Sequence, residues 1–187
     1  MRKLILAALT ASAAATPALA QDAPFSGPRA EVIAGWDHAS SAADGEMHDA
    51  LTYGGAIGYD LQRGNTVFGI EGEITGSTLK QTVQSPPDTR FRAAVGRDLY
   101  IGGRVGVAVN PNTLLYAKAG YTNLRNQLEY QTATVDQKYG AIEGGYRLGA
   151  GAEVKLTDKA YLKTEYRYSD YGSDGRHQVV GGLGIRF

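Results

Sequence analysis

Residues 161 to 168 read YLKTEYRY. Lys163, Glu165 and Arg167 take every second place, and Leu162, Thr164, Tyr166 and Tyr168 fill the gaps. Side chains along a strand point alternately to two faces, so this stretch has one charged face and one apolar, aromatic face. Seven other segments repeat the pattern: Arg29 to Asp37, Ala50 to Asp60, Thr66 to Ser77, roughly Arg92 to Val109, Thr113 to Leu124, Lys138 to Leu156, and His177 to Phe187, with the present one running from Ala160 to Asp170. No stretch carries apolar residues at helical spacing. The segments predict an all-β chain of eight strands. Many are about the 9–11 residues that a tilted strand needs to cross a bilayer. The fourth and sixth are long enough to protrude beyond it.

The connections alternate too. Leu61 to Asn65, Asn110 to Asn112 and Thr157 to Lys159 are short turns. His38 to Asp49, Thr78 to Phe91, Arg125 to Gln137 and Tyr171 to Arg176 are longer and polar. A soluble meander has no reason to place every long loop at one end. Short turns at one end, long loops at the other and an even strand count predict an eight-stranded antiparallel up-and-down transmembrane β-barrel.

The two faces sharpen this. Trp36, Tyr53, Tyr59, Tyr121, Tyr146, Tyr166, Tyr168 and Phe187 fall on the nearly charge-free face, several near segment ends, where lipid-facing aromatic girdles belong. The opposite face carries Glu31, Glu71, Glu73, Arg104, Lys118, Glu143, Arg147, Glu153, Lys163, Glu165, Arg167 and Arg186, interleaved with glycine and alanine. An eight-stranded barrel has an interior that side chains just fill, so these charges have to pair with one another there. Across the Thr157 to Lys159 turn, Glu153 and Lys163 are expected as interior neighbours.

Composition adds constraints. The chain opens with Arg2 and Lys3, an apolar run from Leu4 to about Ala15, and Ala18-Leu19-Ala20. That is the order of a secretory signal peptide over residues 1–20, leaving residues 21–187 as one barrel domain. Removing Arg2 and Lys3 from the 19 basic residues leaves 17 against 19 acidic ones, a balance that argues against nucleic-acid binding. The chain contains no cysteine. Closure of a barrel, which leaves no open sheet edge, is the expected substitute for disulfides.

The ending GGLGIRF, with FSGPRAEVIAGWD near the mature start and GAGAEVKLTDKAYLKTEYRYSDYG between them, resembles the opacity or porin-like family of small outer-membrane barrels. That family includes the 25-kDa outer-membrane antigens and relates to the OmpA barrel. The resemblance implies a Gram-negative outer-membrane location after export. It also implies recognition of the C-terminal strand by the barrel assembly machinery, with Phe187 as the assembly signal. It implies no reaction, and the chain stops at Phe187 without the peptidoglycan-binding domain of OmpA.

Chemistry in the residues is sparse. His38, His48 and His177 lie at predicted loop edges, near Ser40, Ser41, Asp37 and Asp49, and no GxSxG motif is present. Asp37, His38, Asp44, His48 and Asp49 match no metal-ligand spacing. Strand glycines such as those of GGRVGVAV lack the GK[ST] of a nucleotide loop. No catalytic, cofactor-binding or metal-binding residue is therefore assigned. The expected protein is a monomeric structural or surface barrel embedded in outer-membrane lipid and lipopolysaccharide, with an unidentified external ligand for its loops. A narrow porin passing small solutes is the alternative, and a lipid-modifying outer-membrane enzyme a third reading.

Overall fold

The computed structural model describes residues 23–40, 47–78, 80–85, 89–131, 136–172 and 175–187, with side chains at 23–38, 49–78, 96–125, 142–172 and 175–187. The expected signal peptide lies outside these residues, as do Ser41, Asp44 and the side chains of Ser40 and His48.

Nine strands run in chain order: β1 (Gly27–Ser40), β2 (Met47–Arg63), β3 (Thr66–Ser77), β4 (Lys80–Ser85), β5 (Thr89–Asn110), β6 (Thr113–Gln131), β7 (Asp136–Lys155), β8 (Ala160–Asp170) and β9 (Gly175–Arg186). All pairings are antiparallel and join chain neighbours, except that β3 pairs with β5 and β9 returns to β1. Both β3 and β4 pair with β5, β3 through Gly76↔Arg97 and β4 from Lys80↔Ala94. They are two pieces of one stave. The barrel is closed and has eight staves.

Alternation sets the wall. Odd positions of β2, β5, β6 and β9 and even positions of β1, β3, β7 and β8 point outward, and there Val32, Ile57, Ile70, Ile101, Leu148, Leu162, Val179 and Phe187 are exposed. The opposite positions are buried and largely charged. Such an apolar exterior around a polar interior matches lipid, not water. Tyr168 and Tyr59 are half-buried, and the other expected girdle aromatics are exposed on the outer wall.

One end holds the short turns and both ends of the barrel chain. Here Phe25, just ahead of β1, folds under the barrel and forms a buried apolar cluster with Val67, Ala108 and Leu114. Its amide donates to Gln62 Oε1 at 2.9 Å, and Gln62 N donates back to Ser26 Oγ at 2.9 Å. At the far end the staves are unequal. β5, β6 and β7 have 22, 19 and 20 residues, whereas β8 and β9 have 11 and 12.

This corrects the expected loop lengths. Most of Thr78 to Phe91 and of Arg125 to Gln137 is strand, in β4, the start of β5 and the outer parts of β6 and β7. Sequences such as QTVQS and NQLEYQ lose the apolar period once neither face meets lipid, but Thr, Val and Tyr keep their preference for extended backbone. Register in the membrane-spanning part is as expected where it was specified: Glu153 pairs with Lys163.

Closure depends on close approach at the β1–β9 seam. A Cβ on Gly35 would fall 2.2 Å from Val179 O and 2.6 Å from Val180 Cα. Gly35→Val is expected to force the seam apart at a cost of about 1–3 kcal/mol or more. On an unboiled gel, the compact, heat-modifiable band should then lose intensity relative to wild type, and an unchanged band would contradict this view of the seam.

Candidate functional site

The lumen is the place where this chain concentrates chemistry. Eight carboxylates (Glu31, Asp37, Asp60, Glu71, Glu73, Asp98, Glu153 and Glu165) and eight cations (Arg29, Arg104, Lys118, Arg147, Lys163, Arg167, Arg176 and Arg186) are buried among the described residues. Their formal charges cancel. All sixteen join one connected set of ion pairs.

Nearest the turn end, Asp60 gathers three arginines: Arg104 Nε donates to Oδ1 at 2.9 Å, Arg186 Nη2 to Oδ2 at 2.8 Å, and Arg29 Nε lies 3.2 Å from Oδ2. Glu153 binds Arg186 Nη1 at 2.9 Å and Arg104 Nη2 at 3.2 Å. One layer up, Glu31 pairs with Arg29 and Lys163, while Glu71 pairs with Arg29 and takes Lys118 Nζ at 2.7 Å. Lys118 also reaches Glu165 at 2.8 Å and Glu73 at 3.5 Å. Above that, Glu73 binds Arg147 at 3.0 Å and pairs with Arg167, whose Nε donates to Gln178 Oε1 at 2.8 Å. The top layer joins Arg147, Asp98, Arg176 and Asp37, with Thr122 donating to Asp98 at 2.6 Å and Ser77 to Asp37 at 3.1 Å.

Tyrosines fill the space between layers. Lys118 and Arg147 lie over the Tyr100 ring at 4.7 and 5.4 Å, and Arg104 over Tyr116 at 5.0 Å. Tyr116 and Tyr161 donate to Glu165 at 2.7 Å and Glu31 at 3.0 Å. Inward glycines make room for them: a Cβ on Gly184 would sit 2.2 Å from Tyr161 Cζ, and one on Gly102 2.1 Å from Tyr100 Oη. Desolvation of this many charges is costly, and it is offset here by multiple, mutually crossed pairs.

Of the twelve residues placed on the charged face from sequence, eleven are buried in this set. Glu143 is half-buried at the far end of β7. Glu153 and Lys163 stand side by side, yet their ion pairs go elsewhere: Glu153 to Arg104 and Arg186, Lys163 to Glu31 and Glu165. Arg29, Asp37, Asp60, Asp98 and Arg176 were not in the sequence-derived network. Parity would have found Arg29, Asp37, Asp98 and Arg176, since each shares its strand face with a residue that was, whereas β2, which carries Asp60, contributed none. All but Asp98 sit at or just outside segment ends, where alternation is hardest to extend.

Of the histidines, the two with described side chains, His38 and His177, lie outside the lumen. His38 and His177 are cross-strand partners on the outer wall. His38 Nδ1 is 2.7 Å from Asp49 Oδ1, which also accepts from Trp36 Nε1 at 3.0 Å. At this rim the bonds from His38 and Trp36 hold the Asp49 carboxyl below its ordinary pKa. His177 Nδ1 is 2.7 Å from Tyr166 Oη.

Comparison with known proteins gives a consistent picture. The family described as outer membrane protein β-barrel domain matches residues 4–187. The 25 kDa outer-membrane immunogenic protein of Brucella ovis is 28% identical over 155 residues, covering 82% of this chain and 72% of that protein. The 22 kDa outer membrane protein of Rhizobium leguminosarum bv. viciae is 31% identical over 150 residues, covering 72% of this chain and 66% of that protein. Among solved structures, Ail of Yersinia pestis, in complex with the heparin analogue sucrose octasulfate, superposes with a TM-score of 0.63 at 14% identity, over 87% of this chain and 100% of that one. Neisserial surface protein A does so with a TM-score of 0.61 at 15% identity, over 87% and 98%. At these identities the two structures share the fold alone.

Removing one member of a buried, balanced set strands its partners. Asp60→Asn leaves three arginines short of a counter-charge and should lower unfolding stability in micelles by about 3–5 kcal/mol. The double variant Asp60→Asn, Arg186→Met restores the balance and is expected to recover part of that loss. Denaturant midpoints followed by tryptophan fluorescence decide it, and equal losses in both variants would refute charge balance as the cause.

Proposed function

The chain belongs to the outer-membrane β-barrel domain family, and on that premise we propose that it is a sealed barrel with a structural and surface role, neither a pore nor an enzyme. The observation that carries this reading is the lumen. A net-neutral ion-pair network runs from layer to layer, and the Phe25, Val67, Ala108 and Leu114 cluster lies beneath it. An eight-stranded barrel has little interior to spare once such side chains occupy it. The short-turn end faces the periplasm and the tall staves β5 to β7 face outside, where an external ligand would meet them. Lipid and lipopolysaccharide surround the wall, and the protein acts as a monomer. The C-terminal strand β9, closing on Phe187, is the segment offered to the assembly machinery.

A narrow porin is the second reading. It is favoured by Arg167 Nη2, Gln178 Nε2 and Thr75 Oγ1, buried groups without a protein hydrogen-bond partner, which suit a thin hydrated path. A lipid-modifying enzyme would need a nucleophile beside its His–Asp pair; the His38–Asp49 contact on the outer rim is shared instead with Trp36.

In planar bilayers the wild-type protein is expected to show no steady conductance. Reproducible single-channel steps would overturn the sealed-barrel reading in favour of the porin. Lipid A mass spectra from cells with and without the protein should be identical, and a new or missing acyl chain would establish the enzyme.

A further inference from the structure

All sixteen buried charges are paired, but two arginines on the outer wall are not. Arg97 and Arg125 are exposed, and neither makes an ion pair or hydrogen bond with any described residue. They occupy outward positions of neighbouring staves β5 and β6. The register between those staves breaks between Val95 and Asp98: Val95 pairs with Asn126 and Asp98 with Leu124. Two residues, Gly96 and Arg97, therefore face the single residue Arg125. This is a β-bulge, a device that re-aims a side chain. Gly96 permits it, since a Cβ there would lie 2.5 Å from the Arg125 carbonyl oxygen.

Like charges directly opposed across a ladder are destabilising. Among the described residues nothing on the surrounding wall relieves them. The outward neighbours are Gly76, Leu99, Asn123 and Ile142, all uncharged. An anion between the two guanidinium groups would. Height indicates which anion. Arg125 is four residues beyond the girdle residue Tyr121, about 13 Å along the strand and about 10 Å along the normal for a strand tilted by roughly 40°. That is the headgroup zone, above the acyl chains.

We propose that Arg97 and Arg125 form a clamp for a phosphate group on the outer-leaflet glycolipid, lipid A. Guanidinium forks match phosphate oxygens in bidentate fashion, and two forks on adjacent staves hold one phosphate from both sides. The inference rests on the orientation proposed above, with the tall end outside. Phosphate chemistry alone would also fit free inorganic phosphate, so the test separates the two.

The folded protein in a non-ionic, phosphate-free detergent is titrated with bisphosphorylated lipid A, dephosphorylated lipid A and inorganic phosphate. Wild type is expected to prefer the bisphosphorylated lipid. R97Q/R125Q should lose about tenfold or more of that affinity, the scale of losing charge-assisted hydrogen bonds. R63Q, which removes an exposed arginine at the turn end, should bind as wild type does, and a heat-modifiable band verifies that each variant is folded. The clamp is refuted if R97Q/R125Q binds like wild type or if both lipids bind equally. Inorganic phosphate binding as tightly as the lipid would make it a free-phosphate site. Orientation is tested apart from this, by labelling a T78C variant in intact cells. A cysteine closed to an impermeant reagent there would put the tall end in the periplasm and remove lipid A as the ligand, whatever the micelle result.

Discussion

Burial of charge is the constraint on which this molecule depends. A lone carboxylate or guanidinium inside a protein is strongly unfavourable, and a pair repays its desolvation only when its geometry is good and its remaining polar atoms are satisfied. The lumen meets the charge part of that demand collectively, while a few polar atoms, Arg104 Nη1, Arg167 Nη2 and Arg186 Nε among them, have no hydrogen-bond partner among the described residues. Asp60 serves three arginines, Lys118 three carboxylates, and Arg147 both Glu73 and Asp98. The cations are drawn from β1, β5, β6, β7, β8 and β9 and the acids from β1, β2, β3, β5, β7 and β8, so every crossing pair is also a tie between staves. In lipid there is no hydrophobic force to drive the walls together. Polar cross-bracing takes its place.

The apolar exterior follows from the same arrangement. Once one face of each strand is committed to charge, period-two alternation commits the other to lipid. The backbone is satisfied by closure, and the one seam that joins the ends of the chain, β1 to β9, approaches closely because Gly35 carries no side chain. The wall departs from regular pairing at Gly96 and Arg97, the level at which the tall half of the barrel rises above the girdle.

Much of this was legible in the residues, and the failures have physical causes. Lys163, Glu165 and Arg167 could be assigned to the interior because Leu162, Tyr166 and Tyr168 required the other side. Arg29 escaped because it starts its segment, so no apolar neighbour before it confirms the phase, while Asp60 falls on the polar face of a segment with no other charge to pair with. Tyr100, Tyr116 and Tyr161 share the polar face with Arg104, Lys118 and Lys163. Aromatic residues there look like exceptions to the pattern until the layered lumen shows cations stacked on them. β4 and the outer part of β6 were read as loops since strands with water on both faces have no period to display. Which acid meets which base was never readable, because partners such as Lys118 and Glu71 are brought together only by closure around the ring.

The inequality of the staves has a mechanical side. β6 is unbroken from Thr113 to Gln131 and β7 from Asp136 to Lys155. At about 3.3 Å per residue each is a rod of some 60 Å, clamped along its lower half by the closed, cross-braced ring and paired along its upper half only within the open β4–β5–β6–β7 sheet. Load applied near Gln131 or Asp136 passes without a hinge to the turns at the opposite end. β5, alone among the three, has a joint in it, at Gly96. The tall half thus stands as a cantilever beside the short rim formed by β8 and β9, with a break in its strand pairing at Gly96 and Arg97.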